Sequence, residues 1–257
     1  MKITGNARLK NSVVTISSMA VLLFASFSSA WAGDRLIVAV AANFILPSQE
    51  LVKMFQEKTG VAVKATYTST GKLFSQIVKG APYDLLLAAD EKRPHLLFEK
   101  GLSDRPFVYA RGQVVLWTAK KEFCGVSDWR EVIQRKEVRK IAIANTVTAP
   151  YGTVAMHVLK KAGLWDELEA KFVFPQSVAQ AFQYAVTESA DLGFCAYSST
   201  YSAYGRKGCV YMIPEAPPVI QAACVLTNTA NRKAAEQYAA FLLSPEAVTV
   251  KARYGYK

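Results

Sequence analysis

Leu36-Ile37-Val38-Ala39-Val40-Ala41-Ala42-Asn43-Phe44 is the passage on which the reading of this chain turns. Its opening run of apolar residues predicts a buried strand. Asn43 follows, and then Leu51, Val52 and Phe55 mark a helix that stops at Gly60. A second strand, over 61–68, leads into Ser69-Thr70-Gly71 and a helix with Leu73, Phe74 and Ile77 on one face. Strand, small polar residue, helix is therefore written twice. In a parallel sheet such junctions bring helix N-termini to one edge, where free N–H groups can face a single ligand. Asn43, Ser69 and Thr70 are the side chains placed to help, and the ligand they suit is a small anion. The plainer reading is that all three are helix caps.

The rest of the chain keeps this alternation. A third buried strand is expected over 83–89, then a helix capped by Asp90 and closed by Gly101. A strand over 113–118 and a short helix started by Ser127 or Asp128 come next. Lys140 to Ala144 reads as a strand, and Pro150-Tyr151-Gly152-Thr153 opens another helix, with proline in the first turn where helices tolerate it. Ser177 can cap a helix carrying Val178, Ala181 and Phe182. Further strands fall at 192–197, 209–214 and 219–226, and the last helices begin after Asn228 or Asn231 and at Pro245. Short strands alternating with amphipathic helices imply an α/β architecture with layered sheets. Crossing strands near 113–118 and 219–226 suggest two lobes with a cleft between them. The lobes are placed at 33–113 plus 225–257, and at 114–224.

Lys2, Arg8 and Lys10, an apolar core over 13–27 and Ala30-Trp31-Ala32 predict a cleavable signal peptide over 1–32, with a membrane anchor as the alternative reading. Cleavage leaves 225 residues and lowers the formal net charge from +11 to +8. A basic surface suits an anionic ligand, while dispersed lysines without interleaved aromatics argue against nucleic acid. Export permits disulfides. Cys124, Cys195, Cys209 and Cys224 are spaced 71, 14 and 15 residues apart, which is no metal-site pattern. Two structural disulfides of undetermined pairing are the leading reading, with free buried thiols as the alternative.

At this point several segments, in order and spacing, resemble the periplasmic molybdate-binding proteins of ABC importers. They are Val40-Ala41-Ala42-Asn43-Phe44, Tyr67-Thr68-Ser69-Thr70-Gly71, the run from Gly80 to Asp90, Ala149-Pro150-Tyr151-Gly152-Thr153, Ala190-Asp191-Leu192-Gly193 and Arg253-Tyr254-Gly255. The resemblance covers essentially the whole mature chain. It implies the two-lobed periplasmic binding protein fold, with mixed β-sheets flanked by helices and a ligand cleft between the lobes. It further implies capture of molybdate or tungstate as an oxyanion by neutral donors. No cofactor, no metal-cation ligand and no catalysis are expected, and delivery is by a monomer to an inner-membrane ABC permease. Carried over by position, the oxyanion contacts fall on Asn43, Ser69, Thr70 and the backbone N–H groups of Tyr151 and Val178. The tyrosine that some members place directly after the L-G-x-x strand is Ala196 here, with Tyr197 one residue later as a possible extra contact.

Three other readings compete. A receptor for another tetrahedral oxyanion, such as sulfate, would share the scaffold. An exported hydrolase would need Ser69 or Ser177 as nucleophile and His95 or His157 as base, without a G-x-S-x-G motif around either serine. A secreted adhesion protein could share the clamp and its basic surface.

Overall fold

A computed structural model describes residues 35–257. The signal peptide expected over 1–32 lies outside them. Apolar runs become β1 (Leu36–Ala41), β2 (Val63–Thr68) and β3 (Leu85–Leu87), which alternate with α1 (Ile45–Thr59), α2 (Thr70–Val78) and α3 (Lys92–Glu99). β4 (Phe107–Gly112) and β5 (Val114–Thr118) follow with only Gln113 between them, and then α4 (Trp129–Ile133). Next come β6 (Ile141–Ala142), α5 (Pro150–Lys161), α6 (Trp165–Leu168), β7 (Phe172–Val173), α7 (Val178–Val186), β8 (Leu192–Ala196) and β9 (Cys209–Met212). β10 (Val219–Val225), α8 (Arg232–Leu242) and α9 (Pro245–Arg253) complete the chain.

Two five-stranded sheets result, in the orders β2-β1-β3-β10-β4 and β7-β6-β8-β5-β9. Each has three parallel strands, then an antiparallel strand that brings the chain across from the other sheet. The crossings fall at Gln113 and between β9 and β10. β10 pairs with β3 and β4 along its length, so the first sheet takes the chain back at Val219, ahead of the return at 225 that was expected. β1 shows why both faces are covered. Val38 and Val40 pack with Leu51, Phe55 and Tyr238 under α1 and α8, while Ala39 faces Leu73 and Leu97 under α2 and α3.

Half of the expected cysteine pairing forms. Cys124 bonds to Cys209, joining the loop after β5 to the start of β9 with their Cα atoms 5.8 Å apart. Cys195 and Cys224 are free and buried, which corrects the expectation of two bridges. The reason is topological: Cys195 lies on β8 in the second sheet and Cys224 on β10 in the first. Asn231 precedes α8 but makes no side-chain cap, because its amide reaches back to the Arg35 carbonyl at 3.2 Å.

A lysine is buried beneath the first sheet. Lys251 is 6% exposed, and its Nζ donates to the Tyr109 carbonyl at 2.5 Å and the Leu242 carbonyl at 2.9 Å. Burial pushes the ammonium down to about 8. A neutral amine keeps two N–H donors, enough for both carbonyls. In the unfolded chain lysine holds its proton to about 10.4. Between these values the unfolded state binds more protons, so Lys251 makes the protein more stable as pH rises from 8 towards 10. Above 10 the buried phenols of Tyr109, Tyr151 and Tyr256, whose ionisation burial raises, reverse the trend. Denaturant melts should show the rise between pH 8 and 10 in the parent and its loss in Lys251→Met. An identical slope in the two would mean that the lysine does not titrate there.

Candidate functional site

The C-terminal ends of the parallel strands deliver the helix starts to one place, as open α/β sheets do. β1 passes through Ala41 into a short 3₁₀ turn, Ala42–Phe44, that feeds α1. β2 runs through Ser69 into α2, β6 leads by the loop before Pro150 into α5, and β7 leads by Ser177 into α7. Asn43, Ser69 and Thr70 from the first sheet and Tyr151 and Val178 from the second line one cavity. Its free volume is about 10 Å³, against about 630 Å³ for the open cleft beside it by Arg93 and Val147. The five residues expected to meet therefore do meet. Among the described residues, no charged side chain lines the cavity.

Each expected residue presents something specific. Thr70 Oγ1 accepts from the Ala89 N–H at 3.0 Å, which leaves its own proton to donate. Ser69 stands in the extended conformation before α2, but its hydroxyl caps nothing. Tyr151 and Val178 sit in the first turns of α5 and α7, where helical N–H groups have no intrahelical partner. No hydrogen-bond partner among the described residues takes either N–H. Ser177, by contrast, is a true cap and accepts from Gln180 N–H at 3.3 Å. Asn145 serves its own loop, its Oδ1 accepting from the N–H groups of Val147 and Thr148.

Two buried polar atoms at this cavity have no partner among the described residues: Asn43 Oδ1 and Ser69 Oγ. Leaving such a group unpaired costs about 1–3 kcal/mol, so a pair of them on one cavity marks a place made for a polar guest. The cap reading of Asn43, Ser69 and Thr70 is thereby set aside: Asn43 and Ser69 make no capping bond, and the bond Thr70 accepts comes from outside its helix.

Tyr197 is not brought in. Its ring stands against Gly255 and Tyr201 and is not part of the cavity lining. Groups that went unnoticed in the sequence stand behind Asn43 instead. Its Nδ2 donates to Gln221 Oε1 at 2.8 Å and to the Tyr256 hydroxyl at 3.0 Å. Tyr109 OH donates to the same Gln221 oxygen at 3.0 Å, and Ser198 Oγ donates to the Asn43 carbonyl at 2.8 Å. Gln221 had one visible signal, a long polar side chain inside the apolar run Val219-Ile220-Gln221-Ala222-Ala223-Cys224-Val225.

The two sheets clasp at the rim. Gly71 N–H donates to the Thr148 carbonyl at 2.8 Å, and Arg93, paired with Asp90, donates to the Val147 carbonyl at 2.7 Å. A Cβ on Gly71 would lie 2.9 Å from Thr148 backbone and side-chain atoms, so only glycine permits this approach.

A model of bacterial extracellular solute-binding proteins matches residues 36–257. The chain belongs to that family. This solute-binding protein is 37% identical over 229 residues to the molybdate-binding protein ModA of Rhodobacter capsulatus, covering 88% of this chain and 89% of the relative. Its fold superposes on the periplasmic molybdate-binding protein of Azotobacter vinelandii with a TM-score of 0.82 at 35% identity, over 86% of this chain and 98% of the other. The sulfate-binding protein SubI of Mycobacterium tuberculosis, 15% identical over 86% of each chain with a TM-score of 0.73, shares the fold alone. Membership makes the solute-binding protein a carrier rather than an enzyme. Of the residues a hydrolase would use, Ser177 caps α7 and both histidines are exposed on helices.

The unpartnered Ser69 hydroxyl yields a signature that a structural serine would not. Ser69→Ala is expected to leave the ligand-free protein as stable as the parent or up to about 1 kcal/mol more stable. Oxyanion affinity should fall about tenfold for the lost donor. Thermal melts paired with calorimetry check this; a lower melting point together with unchanged affinity would assign the hydroxyl to packing.

Proposed function

We propose that this protein captures molybdate, or equally tungstate, in the periplasm and hands it as a monomer to an inner-membrane ABC permease. The observation that carries the reading is the uncharged cavity on which two unpartnered polar atoms and helix starts from both sheets converge. The likeness to two molybdate-binding proteins supports it. An oxyanion without protons presents acceptors on every side, and bonds from neutral donors to an anion are the stronger, charge-assisted kind. Helix N-termini add favourable potential without any fixed positive charge. Side chains of Asn43, Ser69 and Thr70 and the N–H groups of Tyr151 and Val178 are the donors assigned here.

The lobes proposed are the residues up to 113 together with 219–257, and 114–218, because β10 pairs throughout with strands of the first sheet. An anion bound to both would favour the clasped arrangement, which is the form a permease would receive. Hydrogen phosphate would bury a P–OH among donors, and sulfate would be too small to reach both lobes. Calorimetry on residues 33–257 with molybdate, tungstate, sulfate and phosphate tests the reading. Equimolar binding of the first two and far weaker binding of the others is expected. A preference for sulfate would make it a receptor for that oxyanion, and no heat with any of the four would remove the assignment.

A further inference from the structure

We propose that Gln221 is a positioning residue whose amide turns together with that of Asn43, so that a bound oxyanion meets an Asn43 N–H in place of its carbonyl oxygen. The proposal rests on the reading of the cavity as an oxyanion site and explains a conflict within it. As the side chain stands, Asn43 Nδ2 points away from the cavity to Gln221 and Tyr256, and its unpartnered Oδ1 is an acceptor. An anion needs the opposite end. An amide exchanges its ends by a half-turn with almost no change of shape.

Asn43 cannot make that turn alone. Its Oδ1 would then face Gln221 Oε1 across the present 2.8 Å contact, two acceptors with no proton between them. If Gln221 turns as well, every bond has a successor. Gln221 Nε2 donates to Asn43 Oδ1 and to Tyr109 OH, whose own proton goes to the Ala88 carbonyl, now 3.1 Å away. Tyr151 OH, which at present accepts from Gln221 Nε2 at 3.3 Å, donates to Gln221 Oε1. Tyr256 OH passes its proton from the Asn43 carbonyl to Asn43 Oδ1, and Ser198 Oγ keeps that carbonyl satisfied. The three phenols can take either part because each hydroxyl both donates and accepts.

The backbone places Gln221 for this task. It is fully buried, and the β10–β4 register shifts between Gln221 and Ala222, an irregularity of the kind that re-aims side chains beside binding sites. Gly112 leaves room for the amide: a Cβ there would lie 2.7 Å from Gln221 Nε2. The pair also joins the lobes, since Gln221 and Asn43 belong to the first sheet and Tyr151 to the second. Turning makes Tyr151 a donor towards the first sheet only when the anion is held.

Side-chain amide resonances of the ¹⁵N-labelled protein test it, assigned by their loss in Asn43→Ser and Gln221→Glu. On adding molybdate, the NH₂ signals of Asn43 and Gln221 should move together, at the stoichiometry that calorimetry gives. Gln221→Glu, assayed at a pH where its buried carboxyl is ionised and so only accepts, should hold Asn43 Nδ2 turned inward and lower molybdate affinity at least about tenfold. Should that variant fail to fold, the parent spectrum decides by itself. Molybdate heat with an unmoved Gln221 signal would overturn the coupled turn and leave the transport reading intact. Absence of heat with any oxyanion would end both.

Discussion

Val178→Pro is expected to bind molybdate about 10- to 100-fold more weakly than Val178→Ala, while the two variants melt within a degree or two of each other. The comparison isolates one hydrogen. Both substitutions remove the same buried side chain, but only proline removes the backbone N–H at the first residue of α7. Proline is welcome there, because that N–H has no intrahelical partner and the fixed φ suits a helix start. The residue before it must be extended, and Ser177 already is, at φ −141° and ψ 161°. The lost bond is charge-assisted and worth about 1.5–3 kcal/mol, which is the stated range of affinity. Equal affinities for the two variants would show that the N–H does not reach the ligand.

Gly152→Ala is expected to destabilise the protein by about 3 kcal/mol and to weaken binding as well. Two effects oppose each other. Alanine inside a helix is favoured over glycine by about 0.8–1 kcal/mol, and Gly152 is the third residue of α5. Against this, a Cβ would stand 2.0 Å from the Ala144 carbonyl oxygen, 2.7 Å from its carbon and 3.0 Å from the Asn145 oxygen. These are backbone atoms and cannot swing aside. α5 must lift from the strand end, and the lift carries Tyr151, the neighbouring residue, out of the cavity. Chemical melts and calorimetry read both effects. A gain of stability near 1 kcal/mol would mean that the helix start is not pressed on the loop after β6.

Most of the junctions that form the site were legible because local chemistry fixes them. The apolar run from Leu36, Gly60 at φ 73° after α1, Pro150 at the start of α5 and Ser177 before α7 each act within a few residues. β4 was not legible. Its residues Phe107–Gly112 mix exposed and buried positions without regular alternation, and the strand is recognised by its pairing with β10, more than 100 residues later. The disulfide count failed for the same reason, since sheet membership is set by long-range pairing. Cys195 and Cys224 had no local mark of the sheets that separate them. For the cavity, the lining residues were found from the strand–helix junctions and the family's pattern. The network behind Asn43 was not, because Gln221, Tyr109 and Tyr256 come from β10, β4 and the last residues of the chain. Only folding brings them to one amide.

Crystals of residues 33–257 grown with tungstate, measured at the tungsten absorption edge, would locate the ligand atom without any prior assumption about its contacts. The predicted result is a single strong anomalous peak enclosed by Asn43, Ser69 and Thr70 on one side and by the N–H groups of Tyr151 and Val178 on the other. A peak in the open cleft beside Lys92 and Arg93, held by their charges, would contradict capture by neutral donors.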